Sequence, residues 1–195
     1  MKPKTALGVT LIELLVVIAV LCIVLAVGAP SIIGMINRHR VELAMEQLAS
    51  DLAYARSEAI AHPSLGGVSG VLVLVTPSSQ CYTLAYGGIM SQCNCSYGVG
   101  NACAGIAGMS GAVELRTTQI PQTWQLNLTM PNNGLGALGN RWNYARLTGQ
   151  VSPVNSPITI SDHNNDASLQ ISVPSSLSPA RICSPQGTIP GYAAC

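Results

Sequence analysis

The chain has no phenylalanine, so its aromatic roles fall to two tryptophans and six tyrosines. Charged residues make up only 9% of its 195 positions. Lysine occurs as Lys2 and Lys4 and nowhere later; the remaining cations are seven arginines, set against eight acids. So even a balance excludes a strong built-in pull toward nucleic acid or anionic lipid. Common enzyme motifs are missing as well: there is no Gly-x-Ser-x-Gly elbow, no phosphate loop and no His-Glu-x-x-His. His39, His62 and His163 are scattered without metal-ligand spacing. These absences point away from an enzyme. No cofactor, metal or small-molecule substrate is expected.

What is present is a long apolar run. From Val9 to Val27 the only ionisable side chains are Glu13 and the Cys22 thiol. A membrane-spanning helix takes about 20 apolar residues, so 9–29 reads as a span. Lys2 and Lys4 before it favour a cytoplasmic N-terminus. A cleavable secretory signal is the rival reading, with Gly28-Ala29 as its small-residue site. Against it stand the length of the run and the carboxylate at its start. A carboxylate in mid-membrane costs roughly 3 kcal/mol on insertion scales, and a charge retained there calls for a partner.

The stretch Gly8-Val9-Thr10-Leu11-Ile12-Glu13-Leu14 resembles the cleavage motif of type IV prepilins and pseudopilins. The resemblance implies that a membrane prepilin peptidase removes residues 1–8 by cutting between Gly8 and Val9, and that Val9 is then N-methylated. Val9 departs from the Phe or Met usual there. Glu13 becomes the fifth mature residue, which the resemblance pairs with the terminal amine of a neighbouring subunit in a filament.

Beyond the run, Gly28 and Pro30 can bend a helix. Val41, Ala44, Leu48, Leu52, Ala55 and Ala59 then recur at three- and four-residue steps on one helical face, with His62-Pro63 as a stop. The domain reading is therefore a leader at 1–8, a filament-core helix at 9–29, an amphipathic continuation at 30–62 and a head at 63–195. In the head, strands are expected at Val68–Thr76, Cys81–Tyr86, Ala112–Thr118, Gln125–Met130, Tyr144–Leu147, Ile158–Ser161 and Leu169–Val173, with a long Gly- and Ser-rich loop between residues 87 and 111. The fold class is α+β, one long N-terminal helix packed on a β-rich head.

Cys22 lies in the apolar run; Cys81, Cys93, Cys95, Cys103, Cys183 and Cys195 lie beyond it. An even number outside the membrane suggests disulfides in an oxidising compartment such as the periplasm. Structural zinc favours cysteine pairs spaced C-x2-4-C, and the only close pair here is Cys93-Asn94-Cys95. Asp162-His163-Asn164-Asn165-Asp166 alternates oxygens like a calcium loop, but lacks its glycine and distal glutamate; it reads as an Asx-rich turn.

Across nearly the whole chain the head is similar to the FimT/GspH-type minor pilins and pseudopilins. The residues that carry this are Cys81-Tyr82-Thr83-Leu84, Cys93-Asn94-Cys95, Cys103, Arg181-Ile182-Cys183-Ser184-Pro185 and Pro190-Gly191-Tyr192-Ala193-Ala194-Cys195. We expect Cys183 to close on Cys195, worth roughly 3 kcal/mol in the chain-entropy account. Cys93 and Cys95 are each expected to take Cys81 or Cys103, in either order. The resemblance implies a minor pilus subunit in the bacterial inner membrane, single-pass with a periplasmic head, whose partners are other pilins and the prepilin peptidase. A type II secretion pseudopilin is the alternative. DNA binding in natural transformation is a second one. Some relatives carry a Gly-Arg-x-Arg motif near the tail cysteine, where this chain reads Ser178-Pro179-Ala180-Arg181. Arg141, Arg146 and Arg181, with Trp142 and Tyr144 between them for stacking, are its candidate DNA contacts.

Overall fold

The computed structural model describes residues 10–61, 70–87, 93–104, 112–131, 140–154 and 156–195, without the side chains of 27–31. The chain forms two compact units, Met1–Asn37 and Arg38–Cys195. Helix α1 runs from Leu11 to Ala61, so the helix carries on through Pro30. The expected stop at His62-Pro63 and the expected first strand residues at 68–69 lie outside the described set.

In the first unit the described side chains of the apolar run are all exposed, Leu11 at 81%. Among the described residues no helix is long and apolar enough to cross a membrane.

The second unit is built from the α1 residues after Asn37 and two antiparallel sheets. The first sheet contains β1 (Val71–Thr76), β2 (Cys81–Tyr86), β3 (Val113–Gln119), β5 (Arg141–Tyr144) and β6 (Val151–Ser152), in the order β3-β2-β1-β5-β6. The second contains β4 (Leu126–Thr129), β7 (Ile158–Asp162), β8 (Ser168–Ser172) and β9 (Arg181–Cys183), in the order β4-β7-β8-β9. One core joins the helix to both. Val41, Ala44, Leu48, Leu52, Ala55 and Ala59 are buried with Met45, against Val71, Val73 and Val75 of β1 and against Leu128, Ile160 and Leu169 of the second sheet. Side chains alternate across a strand, so Leu72 and Leu74 face the other way. They are buried too, beneath Ala85 and Cys93. The unbroken run Val-Leu-Val-Leu-Val is what a strand covered on both faces requires.

A bulge shapes the first sheet. Leu84 pairs with Arg116, but the next residue, Ala85, pairs with Glu114, leaving Leu115 extra. An extra residue in one strand shifts the facing of its neighbours. Arg116 therefore faces the helix beside Leu84, and Glu114 faces outward beside Ala85.

The strand expected at Tyr144–Leu147 is corrected to Arg141–Tyr144. The alternation that sets it is Trp142 and Tyr144, both buried. The chain then turns sharply: Ala145 N–H donates to the Gln150 carbonyl at 2.7 Å, and Leu147 takes φ +68°. The entry to β1 is fixed by close approach, since a Cβ on Gly70, at φ +101°, would lie 1.8 Å from the Tyr144 carbonyl oxygen. The short β6 and β9 are not among the strands expected from sequence. The two sheets are stitched at the turn after β1. There Gln80, at φ +50°, accepts from Leu128 N–H through Oε1, and its own carbonyl accepts from Ile120 N–H at 3.0 Å.

Candidate functional site

The N-terminal segment can be followed from Thr10. Gly8 and Val9, the expected cleavage and methylation positions, lie outside the described residues. Thr10 caps α1: its Oγ1 accepts from Glu13 N–H at 3.3 Å, and its carbonyl accepts from Leu14 N–H at 3.1 Å. Thr-x-x-Glu is a capping-box spacing, a helix-start signal that the sequence carries inside the longer motif. Glu13 is the only acid in the first helical turn, where the helix dipole favours negative charge. Its exposed side chain stands among exposed Leu11, Ile12, Leu14 and Val16. A carboxylate on an apolar surface is the arrangement that a second, cationic group would complete.

In the head, sequence reasoning missed a buried carboxylate. Asp51 sits on the apolar stripe of α1 between Leu48 and Leu52 and is completely buried. Four donors converge on it. Arg116 Nη1 reaches Oδ1 at 2.5 Å, Tyr82 Oη reaches Oδ2 at 2.7 Å, and Thr118 Oγ1 and Gln47 Nε2 each lie at 3.1 Å. Arg116 also lies over the Tyr54 ring, 5.2 Å from its centroid, a cation–π contact. The helix is thereby bolted to β2 and β3 at one charge. The sequence did carry a hint, an acid at a core-facing helical position, but its partner depends on the bulge.

Burial, with the Asp51 carboxylate beside it, pushes the Tyr82 phenol well above its ordinary 10. Burial likewise pushes Tyr144 up to about 12. A raised folded pKa means that stability is complete below pH 10 and is lost as the pH rises through the folded values. Each tyrosine protonated only in the folded state contributes a slope of about 1.4 kcal/mol per pH unit. Under oxidising conditions the unfolding midpoint should therefore fall steeply from pH 10 to pH 12. Tyr144→Phe should remove about one tyrosine's share of the slope; an unchanged slope would contradict it.

Three disulfides close the head: Cys81–Cys95, Cys93–Cys103 and Cys183–Cys195. Of the two orders left open for Cys93 and Cys95, the structure has this one. The loop between Cys93 and Cys103 folds over the outer face of the first sheet. Glu114 pins it, its two carboxylate oxygens accepting from Gly100 and Ala102 N–H groups at 2.8 Å each. Cys22 is free and exposed. Residues 162–166 form the turn between β7 and β8, where Ala167 N–H donates to Asp162 Oδ1 at 3.0 Å.

The candidate DNA contacts lie on three separate segments. Arg141 opens β5, Arg146 lies beyond its far end, and Arg181 opens β9 in the other sheet. Trp142 and Tyr144 are core residues, with Trp142 Nε1 donating to the Ser156 carbonyl at 2.8 Å, so neither offers a face for base stacking. Arg56 donates to the Leu177 carbonyl at 3.1 Å, and Arg116 is engaged by Asp51.

Compared with known families, residues 4–29 match the prokaryotic N-terminal methylation motif. Neither the curated proteins nor the solved structures yield a match to this chain.

Proposed function

We propose that this type IV prepilin-like chain is a minor pilin of the FimT/GspH type, an assembly subunit of a type IV pilus. The methylation motif supports a pilin or pseudopilin and points to a structural protein rather than an enzyme. The observation that carries the proposal is the pairing of that motif with an apolar helix and a disulfide-closed α+β head. In this reading a prepilin peptidase cuts after Gly8 and Val9 is methylated. The helix from Val9 to Ala29 first holds the protein in the inner membrane, then packs against other pilin helices in the filament. Three disulfides suit a head that lies in the periplasm.

A type II secretion pseudopilin would use the same helix and head. A deletion strain scored together for surface pili, protein secretion and DNA uptake separates the readings. Loss of pili with normal secretion is the expected result. Loss of secretion with normal pili would replace the proposal by the pseudopilin. Loss of DNA uptake with both intact would favour the DNA-binding pilin, in which Arg141, Arg146 and Arg181 would be the contacts. The burial of Trp142 and Tyr144 weighs against that last reading.

A further inference from the structure

The outer face of the second sheet forms a groove of about 550 Å³ across β4, β7 and β8, large enough for a small ligand. Its floor is Asn127, Thr129, Thr159 and Gln170. One wall is the turn that begins at Pro77, and the other is Pro185-Gln186. Among the described residues no lining residue carries a charge or an aromatic ring, and hydroxyl and amide side chains predominate.

That chemistry narrows the ligand by elimination. Without a cation, the groove has nothing to neutralise a phosphate or a carboxylate. Without a carboxylate it does not select a metal ion. Its apolar surface comes from Pro77, Pro185 and the methyl and methylene groups of its polar side chains, since Leu128 is buried in the core, which leaves no bulky aliphatic patch to hold a lipid or an aliphatic side chain. An added peptide strand would need free backbone groups at a sheet edge. Here β7 pairs on both sides, with β4 and with β8, so the middle of the floor offers side chains alone.

Those side chains come in two kinds. Some are spent within the fold: Ser161 Oγ donates to Asn165 Oδ1 at 2.8 Å, and Ser168 Oγ donates to Gln186 Oε1 at 3.1 Å. These bonds fix the Asn165 and Gln186 amides and leave their NH2 groups as donors. The Gln170 and Thr159 side chains bond to nothing among the described residues and line the floor. An amide presents a donor and an acceptor side by side, and a hydroxyl does both. That is the complement of neighbouring hydroxyls on a sugar ring.

We propose that this groove binds a neutral glycan, with Gln170 and Thr159 reading sugar hydroxyls from the floor, Asn127 adding its Oδ1 as an acceptor while its Nδ2 donates to the Asp162 carbonyl at 3.5 Å, and Gln186 closing over one side. The site shares no lining residue with the filament helix or with Arg141, Arg146 and Arg181, and it stands whichever assembly the protein joins.

The test uses the full chain in a zwitterionic detergent, since glycoside detergents would compete. It is applied to an array of neutral hexose- and N-acetylhexosamine-terminated oligosaccharides, with heparin and double-stranded DNA as charged probes. The expected result is capture by neutral glycans, undiminished at 0.5 M salt. Gln170→Ala should weaken it at least about tenfold, the loss of one to two hydrogen bonds, while Arg181→Ala leaves it unchanged. Thr159→Val, which keeps the shape and removes the hydroxyl, should weaken it too, and an unshifted unfolding midpoint in each variant ties the loss to the groove. Capture by the charged probes alone, no capture at all, or neutral-glycan binding indifferent to both groove variants would overturn the proposal.

Discussion

Glu13→Ala is expected to leave the precursor in the membrane fraction and to reduce its incorporation into filaments at least about tenfold. The cause begins with cost. A carboxylate in an apolar surround is penalised by roughly 3 kcal/mol, and alanine would remove that penalty and favour membrane residence. Glu13 therefore gives nothing to insertion. At the first turn of α1 it gains some relief from the helix dipole, and its N–H is held by Thr10. Neither contact uses the carboxylate's capacity for a cationic partner. In a bundle of such helices the carboxylate can reach a terminal amine in only one stagger, and every other stagger leaves an uncompensated charge buried. In the proposed filament the charge would set register by penalising alternatives. Glu13→Gln distinguishes charge from shape: it keeps the side chain's length and hydrogen bonding, and should fail nearly as badly as alanine. Fractionation and immunoblotting of sheared filaments measure both. Normal incorporation of Glu13→Ala would refute a register role, and rescue by glutamine would reduce it to a hydrogen bond.

In the head, Arg116→Ala should destabilise more than Asp51→Ala, although the two residues form one pair. The asymmetry comes from burial. Asp51 is wholly buried, whereas the Arg116 side chain is 47% exposed. Removing Arg116 strands the carboxylate among neutral donors, and breaking a buried pair from that side costs about 3–5 kcal/mol. Removing Asp51 lets Arg116 turn to water and leaves the Tyr82 hydroxyl without its acceptor, a loss of about 1–3 kcal/mol. Replacing both together, Asp51→Leu with Arg116→Met, should recover much of the larger loss, because an apolar pair leaves no orphaned charge. Denaturant unfolding of the disulfide-intact protein gives all four values. If Arg116→Ala falls within about 0.5 kcal/mol of the parent, the contact is an ordinary surface ion pair and the clamp does not exist.

The parts of this fold that are legible in the sequence are those set by local periodicity. The stripe from Val41 to Ala59 is buried at every position named, because a three- and four-residue repeat has one way to face a core. Met45 joins it because a helix buries a stripe wider than a single row. The doubly covered β1 is legible as an unbroken apolar run. The hidden parts depend on distant pairing. β9 is three residues long and exists because Ile182 pairs with Ile171. β5 lies earlier than its sequence suggests because Leu147 looks like a strand residue but takes φ +68° in a turn, where its N–H donates to the Ala59 carbonyl at 3.2 Å. The candidate sites divide in the same way. Glu13 shows itself as a charge in an apolar run. Asp51 is legible only as an anomaly, since Arg116 lies 65 residues away. Trp142 and Tyr144 look available to a nucleic acid because sequence gives neighbours without giving facing.

The extra residue at Leu115 has a consequence for how this protein can vary. Arg116 and Glu114 have opposite duties, one clamping the helix and one pinning the cysteine loop, yet they sit two apart on a strand, where ladder geometry alone would put them on the same side. Only the residue count between them separates the duties. Substituting Leu115 by another apolar residue changes a half-buried side chain at the margin of the core. Deleting it would exchange inside for outside along β3, releasing the clamp or the loop however well the remaining residues were chosen. At this position the strand's information is held in its length, and the protein should tolerate other apolar residues there but not one fewer.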